Sequence, residues 1–559
     1  MRNSGKRIGE ILVNLGIISD EQLSYSLRRQ KETNKVLGKI LIEEGYILEE
    51  QIIEVLELQY GIESVRLDKY DIDPEAPGLI SEKMARRHEL IPIALEDNLM
   101  TVAMTDPLNI FAIDDLKLAT GYEIKPLIAT HNDVSIAIEQ YYKKTSAEST
   151  AQEFSHNFGN DTEIDNGELE LLAQVSNAPV VKLVDSIIIQ AIDNKVSDVH
   201  IEPQEDSLII RFRVDGELFE HMVLSKRSLS AIVTRVKIMA HLNIAENRLP
   251  QDGRVEMEMA EKRVDLRISI MPTVYGEKIV IRILDQSNKM FTLLQMGMSM
   301  ENYKKYNGII KAPNGIILVT GPTGSGKTTT LYATLIELNN VKQNVITVED
   351  PVEYKLKGIN QTQVNEKAGL TFARCLRSIL RQDPDIIMIG EIRDVETAQI
   401  AVRSAITGHL VLSTLHTNDT VSTIARLKDM GVEPYLISSS MIGIVAQRLV
   451  KKICSNCKTS YQANELECSL LEEQTAVLHK GSGCNLCNHT GYRERTAIYE
   501  ILPMTKDLKS IVAKGCDADS IREQALKEGM QTLKNSCKEL VLKGVTTIEE
   551  LVRLTSSIE

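Results

Sequence analysis

The chain has 559 residues, enough for about three or four domains, and an ordinary apolar share of 43%. A net charge of −14, no Trp and only 4% aromatic residues argue against a general nucleic-acid binder or a base-stacking platform. No apolar run reaches the ~18 residues of a membrane span, and the N-terminus, carrying Glu10 and Asp20, is not a signal peptide, so a soluble, cytosolic protein is expected.

Residues 1–142 are expected to form the first domain. Two 24-residue units, 7–30 and 36–59, align at a constant offset of 29. Arg7-Ile8-Gly9 matches Val36-Leu37-Gly38, and Gln30 matches Gln59. Each unit reads as a short helix, a Gly turn and a longer helix opened by two acidic residues. Residues 62–142 mix strand and helix signals and suit a small α+β module. The polar, Ser/Thr/Asp/Gly-rich residues 143–168 read as a flexible linker.

Residues 169–290 read as a second α+β domain: a helix around Val180–Asn194, then alternating strands such as Ser207–Gly216 and Lys278–Leu284. Arginines punctuate it, Arg248 and Arg263 among them. Most suit salt bridges on strand faces. Phosphoryl transfer also needs a cation where charge develops, and a neighbouring segment or subunit can supply one.

Residues 291–450 carry the chemistry. The apolar run Ile316–Val319 leads into Gly321-Pro322-Thr323-Gly324-Ser325-Gly326-Lys327-Thr328 and then Thr329. This is the phosphate loop G-x-x-x-x-G-K-[ST], in which backbone N–H groups wrap the phosphates, Lys327 reaches the β/γ-phosphates and the Thr328 hydroxyl holds Mg²⁺. A second apolar strand ends in Glu349, Asp350 and Glu353, and a third, Asp385–Glu391, is of the Walker B kind. Ligands sit at the carboxyl ends of such strands, so the acids are expected at the nucleotide. Glu391 can hold Mg²⁺ or polarise the attacking water, and Glu353 is an alternative for the second role. His409 and His416, seven apart on a fourth strand with Ser413, Thr414 and Asn418, are candidate γ-phosphate sensors.

Eight cysteines in a reducing compartment suggest metal ligands before disulfides. Cys454-x-x-Cys457 and Cys484-x-x-Cys487, with 26 residues between the pairs, predict a structural Zn²⁺ element over 451–495. Residues 496–559 read as a C-terminal helical part.

Gly-Pro-Thr-Gly-Ser-Gly-Lys-Thr, Thr-Val-Glu-Asp-Pro-Val-Glu, Leu-Arg-Gln-Asp-Pro-Asp-Ile-Ile-Met-Ile-Gly-Glu-Ile-Arg-Asp and Gly-His-Leu-Val-Leu-Ser-Thr-Leu-His-Thr-Asn resemble the four motifs of the type II secretion and type IV pilus assembly ATPases. Ser197–Pro203, Arg248–Arg254 and Pro272–Lys278 extend the resemblance over essentially the whole chain. It implies an α/β multidomain protein: a RecA-like P-loop motor domain, a preceding α+β (PAS-like) domain, an N-terminal helical-repeat α+β domain, a small zinc insertion and C-terminal helices. It further implies a homo-hexamer that hydrolyses ATP with Mg²⁺, with Arg248 and Arg263 approaching the γ-phosphate. It also implies work with an inner-membrane platform protein and the pilin assembly machinery, from the cytoplasmic side and without nucleic acid. The paired repeats resemble the cyclic-di-GMP-binding N-terminal domain of some of these ATPases, which places Arg7, Ile8, Gly9, Gln30, Leu37, Gly38 and Gln59 on its ligand-binding motif. The family's assembly ATPases carry the tetracysteine element and the long N-terminus, whereas the shorter retraction ATPases lack both, so pilus extension is expected. Type II secretion stays open as an alternative, and nucleic-acid translocation as one of a different class.

Overall fold

The computed structural model describes residues 8–33, 37–47, 49–67, 70, 72–73, 75–138, 141–142, 178–259, 262–285, 292–515 and 517–556. The expected linker and Arg7 lie outside these residues. The chain forms two compact units, Met1–Asp285 and Gln286–Glu559.

The first unit opens with helices Ile8–Asn14, Asp20–Thr33, Leu37–Glu43 and Glu49–Tyr60. Asp20 and Glu21 complement the dipole of the longest. Its start is closed by a reciprocal pair: Gln22 N–H donates to Ser19 Oγ at 3.2 Å, and Ser19 N–H donates to Gln22 Oε1 at 2.8 Å. The repeat survives in the core, where Ile11, Leu12 and Ile18 are buried, as are Ile40, Leu41 and Ile47 at the same offset. A Cβ at Gly9 would lie 2.5 Å from Leu23 Cδ1, and one at Gly38 3.1 Å from Ile52 Cδ1. Both glycines therefore let the two helices of a unit approach closely. Strands β1 (Leu90–Glu96) and β2 (Leu99–Met104) pair antiparallel. The helix Ile110–Thr120 then returns the chain to β3 (Glu123–Ile128), parallel to β2.

The rest of this unit is a six-stranded antiparallel sheet of β4 (Asp198–Pro203), β5 (Ser207–Val214), β6 (Glu217–Ser225), β7 (Gln251–Met259), β8 (Lys262–Thr273) and β9 (Gly276–Asp285), in the order β6-β5-β4-β9-β8-β7. Helices Ala178–Asp193 and Leu229–Met239 share its core through Val184, Ile188, Ile232 and Val236. Leu208, Ile210 and Phe212 alternate into that core. The intervening arginine Arg211 meets Glu202 at 2.6 Å, which Lys278 also reaches at 2.7 Å.

The second unit is built on a seven-stranded sheet. Its first five strands are β10 (Gly315–Thr320), β11 (Val345–Glu349), β12 (Asn360–Gln363), β13 (Ile386–Ile389) and β14 (Leu410–Leu415), followed by the long β15 (Met441–Ile453). A two-stranded hairpin, β16 (Lys458–Gln462) and β17 (Val477–Gly481), precedes β18 (Tyr492–Pro503). The order is β12-β11-β13-β14-β10-β15-β18, parallel except for β15 with β18. Every residue of β10, β13 and β14 is buried, as expected for a parallel sheet covered by helices on both faces. Helices Met300–Ile310 and Lys327–Leu338 share one core, and Phe372–Ile379, Val395–Ile406 and Thr420–Asp429 share the other.

Two expected boundaries are corrected. The motor does not end near 450, nor does a purely helical part begin at 496. Residues from Gly443↔Pro503 to Ile453↔Tyr492 are paired, so β18 closes the same sheet. Its charged first half, Tyr492–Thr496, hid the apolar run that follows. Helices Lys506–Ala513, Ala518–Lys527, Leu533–Leu542 and Ile548–Ser556 complete the unit.

Candidate nucleotide and metal sites

Strand β10 delivers Gly321 into a turn that ends at Gly326, where helix Lys327–Leu338 begins. Gly321 has φ +149, and a Cβ there would sit 2.4 Å from Gln447 O, so the turn tolerates no side chain. Pro322, Thr323 and Gly324 are exposed at its mouth, as is Thr328 at the helix start, with Thr329 half-buried. Gly326 has no side-chain cap, so the first N–H groups of the helix are left for an anion. Lys327 is buried, and its Nζ donates to Gly321 O at 2.9 Å and Pro322 O at 3.0 Å. Burial pushes its ammonium down to about 8, against the pull of Glu391.

Glu391 follows β13. Its Oε1 accepts from Arg393 Nη2 at 2.5 Å, and its Oε2 lies 3.3 Å from His416 Nε2. Burial alone would raise this carboxyl, but the hydrogen bonds and charges of Arg393 and His416 outweigh it and hold it below the usual range. Thr414 Oγ1 donates to Gly390 O at 2.7 Å, and Ile392 N–H to Thr414 O at 3.1 Å, which fixes the turn that carries Glu391. Asp350 is exposed, 3.7 Å from Arg393 Nη1. Half-buried Glu353 donates its N–H to Tyr332 Oη at 3.2 Å.

Two predicted site residues are placed elsewhere. Glu349 is 2% exposed, with Oε2 taken by the Tyr332 hydroxyl and Oε1 by Thr347 Oγ1 at 2.5 Å and Gln361 Nε2 at 3.1 Å. Its carboxylate braces the sheet against the phosphate-loop helix and does not open to a ligand. His409 precedes β14 while His416 follows it, so at ~3.3 Å per residue they stand roughly 20 Å apart at opposite ends of the strand. His409 Nδ1 lies 2.9 Å from Ser404 O, away from the phosphate loop. Sequence reasoning missed Arg393, two residues beyond Glu391, and Tyr332, one turn into the helix. Charge alternation in Glu391-Ile-Arg393 was the available signal for the first.

Arg248 belongs to the first unit, where its side chain is 84% exposed and its Nη2 meets Glu246 Oε2 at 3.2 Å. Arg263 is exposed on β8. In the repeat, Gly9 is buried and Gln30, Leu37 and Gly38 are half-buried, while the side chains of Ile8 and Gln59 lie outside the described residues.

The four predicted cysteines converge at the base of the β16–β17 hairpin. Their Sγ atoms lie within 4.8 Å of one another, and all four are buried. A tetrahedron with Zn–S bonds of about 2.3 Å has S···S edges of about 3.8 Å. The separations are 3.8 Å for Cys454–Cys484, 3.8 Å for Cys457–Cys487 and 3.7 Å for Cys484–Cys487. Backbone N–H groups of Cys484 and Gly491 donate to Cys487 Sγ at 3.2 and 3.3 Å, as suits a thiolate. The donor set therefore fits Zn²⁺.

Residues 173–553 match the family described as type II/IV secretion system protein, and residues 60–148 match the MshEN domain. The chain is 42% identical over 562 residues to the type IV pilus assembly ATPase PilB of Myxococcus xanthus, covering 98% of this chain and 99% of that one. It is also 42% identical over 460 residues to the type II secretion system ATPase E of Vibrio cholerae, covering 80% and 91%. The Legionella pneumophila ATPase DotB shares the fold, with a TM-score of 0.51 at 21% identity over 67% of this chain and 95% of that one. Among the described residues, no helix is long and apolar enough to cross a membrane. The chain belongs to the type II/IV secretion system protein family and is a P-loop ATPase of that family.

Proposed function

We propose that this ATPase drives assembly of a type IV pilus, as an extension motor working with pilins and an inner-membrane platform protein from the cytoplasmic side. Glu391 carries the hydrolysis reading. It is an ionised carboxylate held by Arg393 and His416 at the strand ends that also present the phosphate loop. In this reading Lys327 and the loop Gly321–Gly326 bind the triphosphate, and Thr328 and Glu391 hold Mg²⁺. Glu391 or Glu353 orients the attacking water, with His416 beside it. Arg248 and Arg263 are proposed to approach the γ-phosphate in an assembled hexamer, and the four cysteines to hold structural Zn²⁺. Cyclic-di-GMP binding to the N-terminal repeat is proposed as the control, supported by the MshEN match that follows it.

Pilus duty is favoured by the Myxococcus relative, which aligns nearly end to end. Type II secretion is the second reading, supported by the Vibrio relative. The test is a cell whose only copy carries Glu391→Gln, scored for surface pili and for exported proteins. Loss of pili with export intact is expected. Loss of export alone would reassign the motor to secretion, and no change in either would remove the motor reading.

A further inference from the structure

Strand β15 continues past the end of β10, directly behind the phosphate loop. Thr320 pairs with Ala446, so Gln447 and Arg448 come next beside Gly321. Gln447 faces the helix Lys327–Leu338, where its Oε1 accepts from Thr330 Oγ1 at 2.7 Å. Arg448 takes the opposite face of the strand. It is 7% exposed. Its Nη2 donates to Asn418 Oδ1 at 3.0 Å and to Asn418 O at 3.4 Å, and its Nε is buried with no partner.

A guanidinium stays charged at any working pH, and burying it without an anion is strongly unfavourable. Asp419, next in sequence to Asn418, attracts Arg448 only from a distance and does not outweigh its burial, because its oxygens are bonded elsewhere. Asp419 binds Arg522 Nη2 at 2.5 Å, Ser422 N–H at 2.7 Å and Ser422 Oγ at 2.5 Å. Arg448 also depresses the Lys327 ammonium, so two buried cations repel each other at one loop. Ser325 Oγ in the loop and Gln447 Nε2, next to Gly326 on the other face of β15, are two more buried, unpartnered polar atoms at this loop. Such a cluster of unmatched donors and positive charge is what an anion relieves.

We propose that Arg448 is a second phosphate-site cation, supplied by β15 of the same chain, which pairs with the polyphosphate of the nucleotide. Through Asn418 it ties an occupied loop to the turn after His416. This rests on the ATPase reading of the loop. The planar fork of arginine suits the role, because it can keep Asn418 on one nitrogen while offering others to a phosphate oxygen.

The test titrates the full chain with a fluorescent ATP analogue and follows thermal melting in parallel. Arg448→Gln keeps a hydrogen bond to Asn418 but loses the charge, and should weaken binding at least about tenfold with little change in melting. Arg448→Lys should recover part of that loss. Wild-type affinity in Arg448→Gln, with Lys327→Ala non-binding, would overturn the proposal and leave the ATPase reading intact. Equal losses in Gln and Lys variants that track lowered melting would reduce Arg448 to a structural role and also overturn it. Lys327→Ala binding as well as wild type would overturn the ATPase reading itself.

Discussion

In the proposed reading Glu391 acts through its charge, which Arg393 and His416 hold in place. Glu391→Gln keeps the shape and should leave nucleotide binding near wild type while phosphate release falls by a factor of about 10²–10⁴. Near-normal turnover in a phosphate-release assay would shift the role to Glu353. Lys327 gives a pH signature. Its ammonium is held down to about 8, so it loses its proton as pH rises through that value, and the loop then loses a cation. Nucleotide Kd should therefore rise above pH about 8, and Lys327→Arg should flatten the profile. Stability runs the other way. The unfolded chain binds the extra proton between about 8 and the ordinary lysine value, so this group's contribution to stability grows across that window. The phosphate loop and Glu391 could be read from sequence because their spacing fixes their place on a strand–turn–helix. The separation of His409 from His416 follows from their spacing of seven on one strand, whereas the inward placement of Glu349 does not show in the sequence. Only its partner Tyr332 shows that Glu349 faces inward.

Strands β15 and β18 bring three regions of the chain together: the phosphate loop, the tetracysteine hairpin and the C-terminal helices. Glu500 on β18 is 2% exposed and accepts from Thr420 N–H at 3.0 Å, Thr420 Oγ1 at 2.6 Å and Leu533 N–H at 3.2 Å. It therefore joins two helices to one strand. Glu500→Ala would leave two buried N–H groups without an acceptor and the Thr420 hydroxyl with only the weak Met530 Sδ, and should cost on the order of 2–4 kcal/mol, read by denaturant unfolding. Cys457→Ser should release the metal from the hairpin and lower thermal stability, checked by metal analysis and calorimetry. Wild type purified without zinc yet equally stable would remove zinc from the structure. The cysteine cluster could be inferred from sequence because C-x-x-C spacing is local, but the two strands between its pairs could not. The closing strand could not, because it pairs across the whole insertion and its first residues are charged.

At the scale of the whole chain, composition and periodicity suggest an N-terminal module, a second α+β domain and a motor, and the chain divides into two compact units, Met1–Asp285 and Gln286–Glu559. How they assemble is not readable from sequence, since assembly depends on surfaces that carry no short-range pattern. The proposed hexamer predicts a six-fold mass on sizing of the full chain with Mg²⁺ and nucleotide. A monomer under every nucleotide condition would exclude the ring. Cyclic-di-GMP titrated into the full chain should release heat, and Arg7→Ala should weaken that binding. No heat with wild type would end the regulatory proposal.

The two copies in the first module are alike without being identical. Ile11, Leu12 and Ile18 recur as Ile40, Leu41 and Ile47, while buried Ser26 stands where the second copy has buried Val55. The copies also differ at their first residue, Arg7 in one and Val36 in the other. A two-fold symmetric dinucleotide laid across such a pair meets unlike neighbours at its two halves. Its guanine protons, equivalent in free solution, should separate into two sets of resonances when bound.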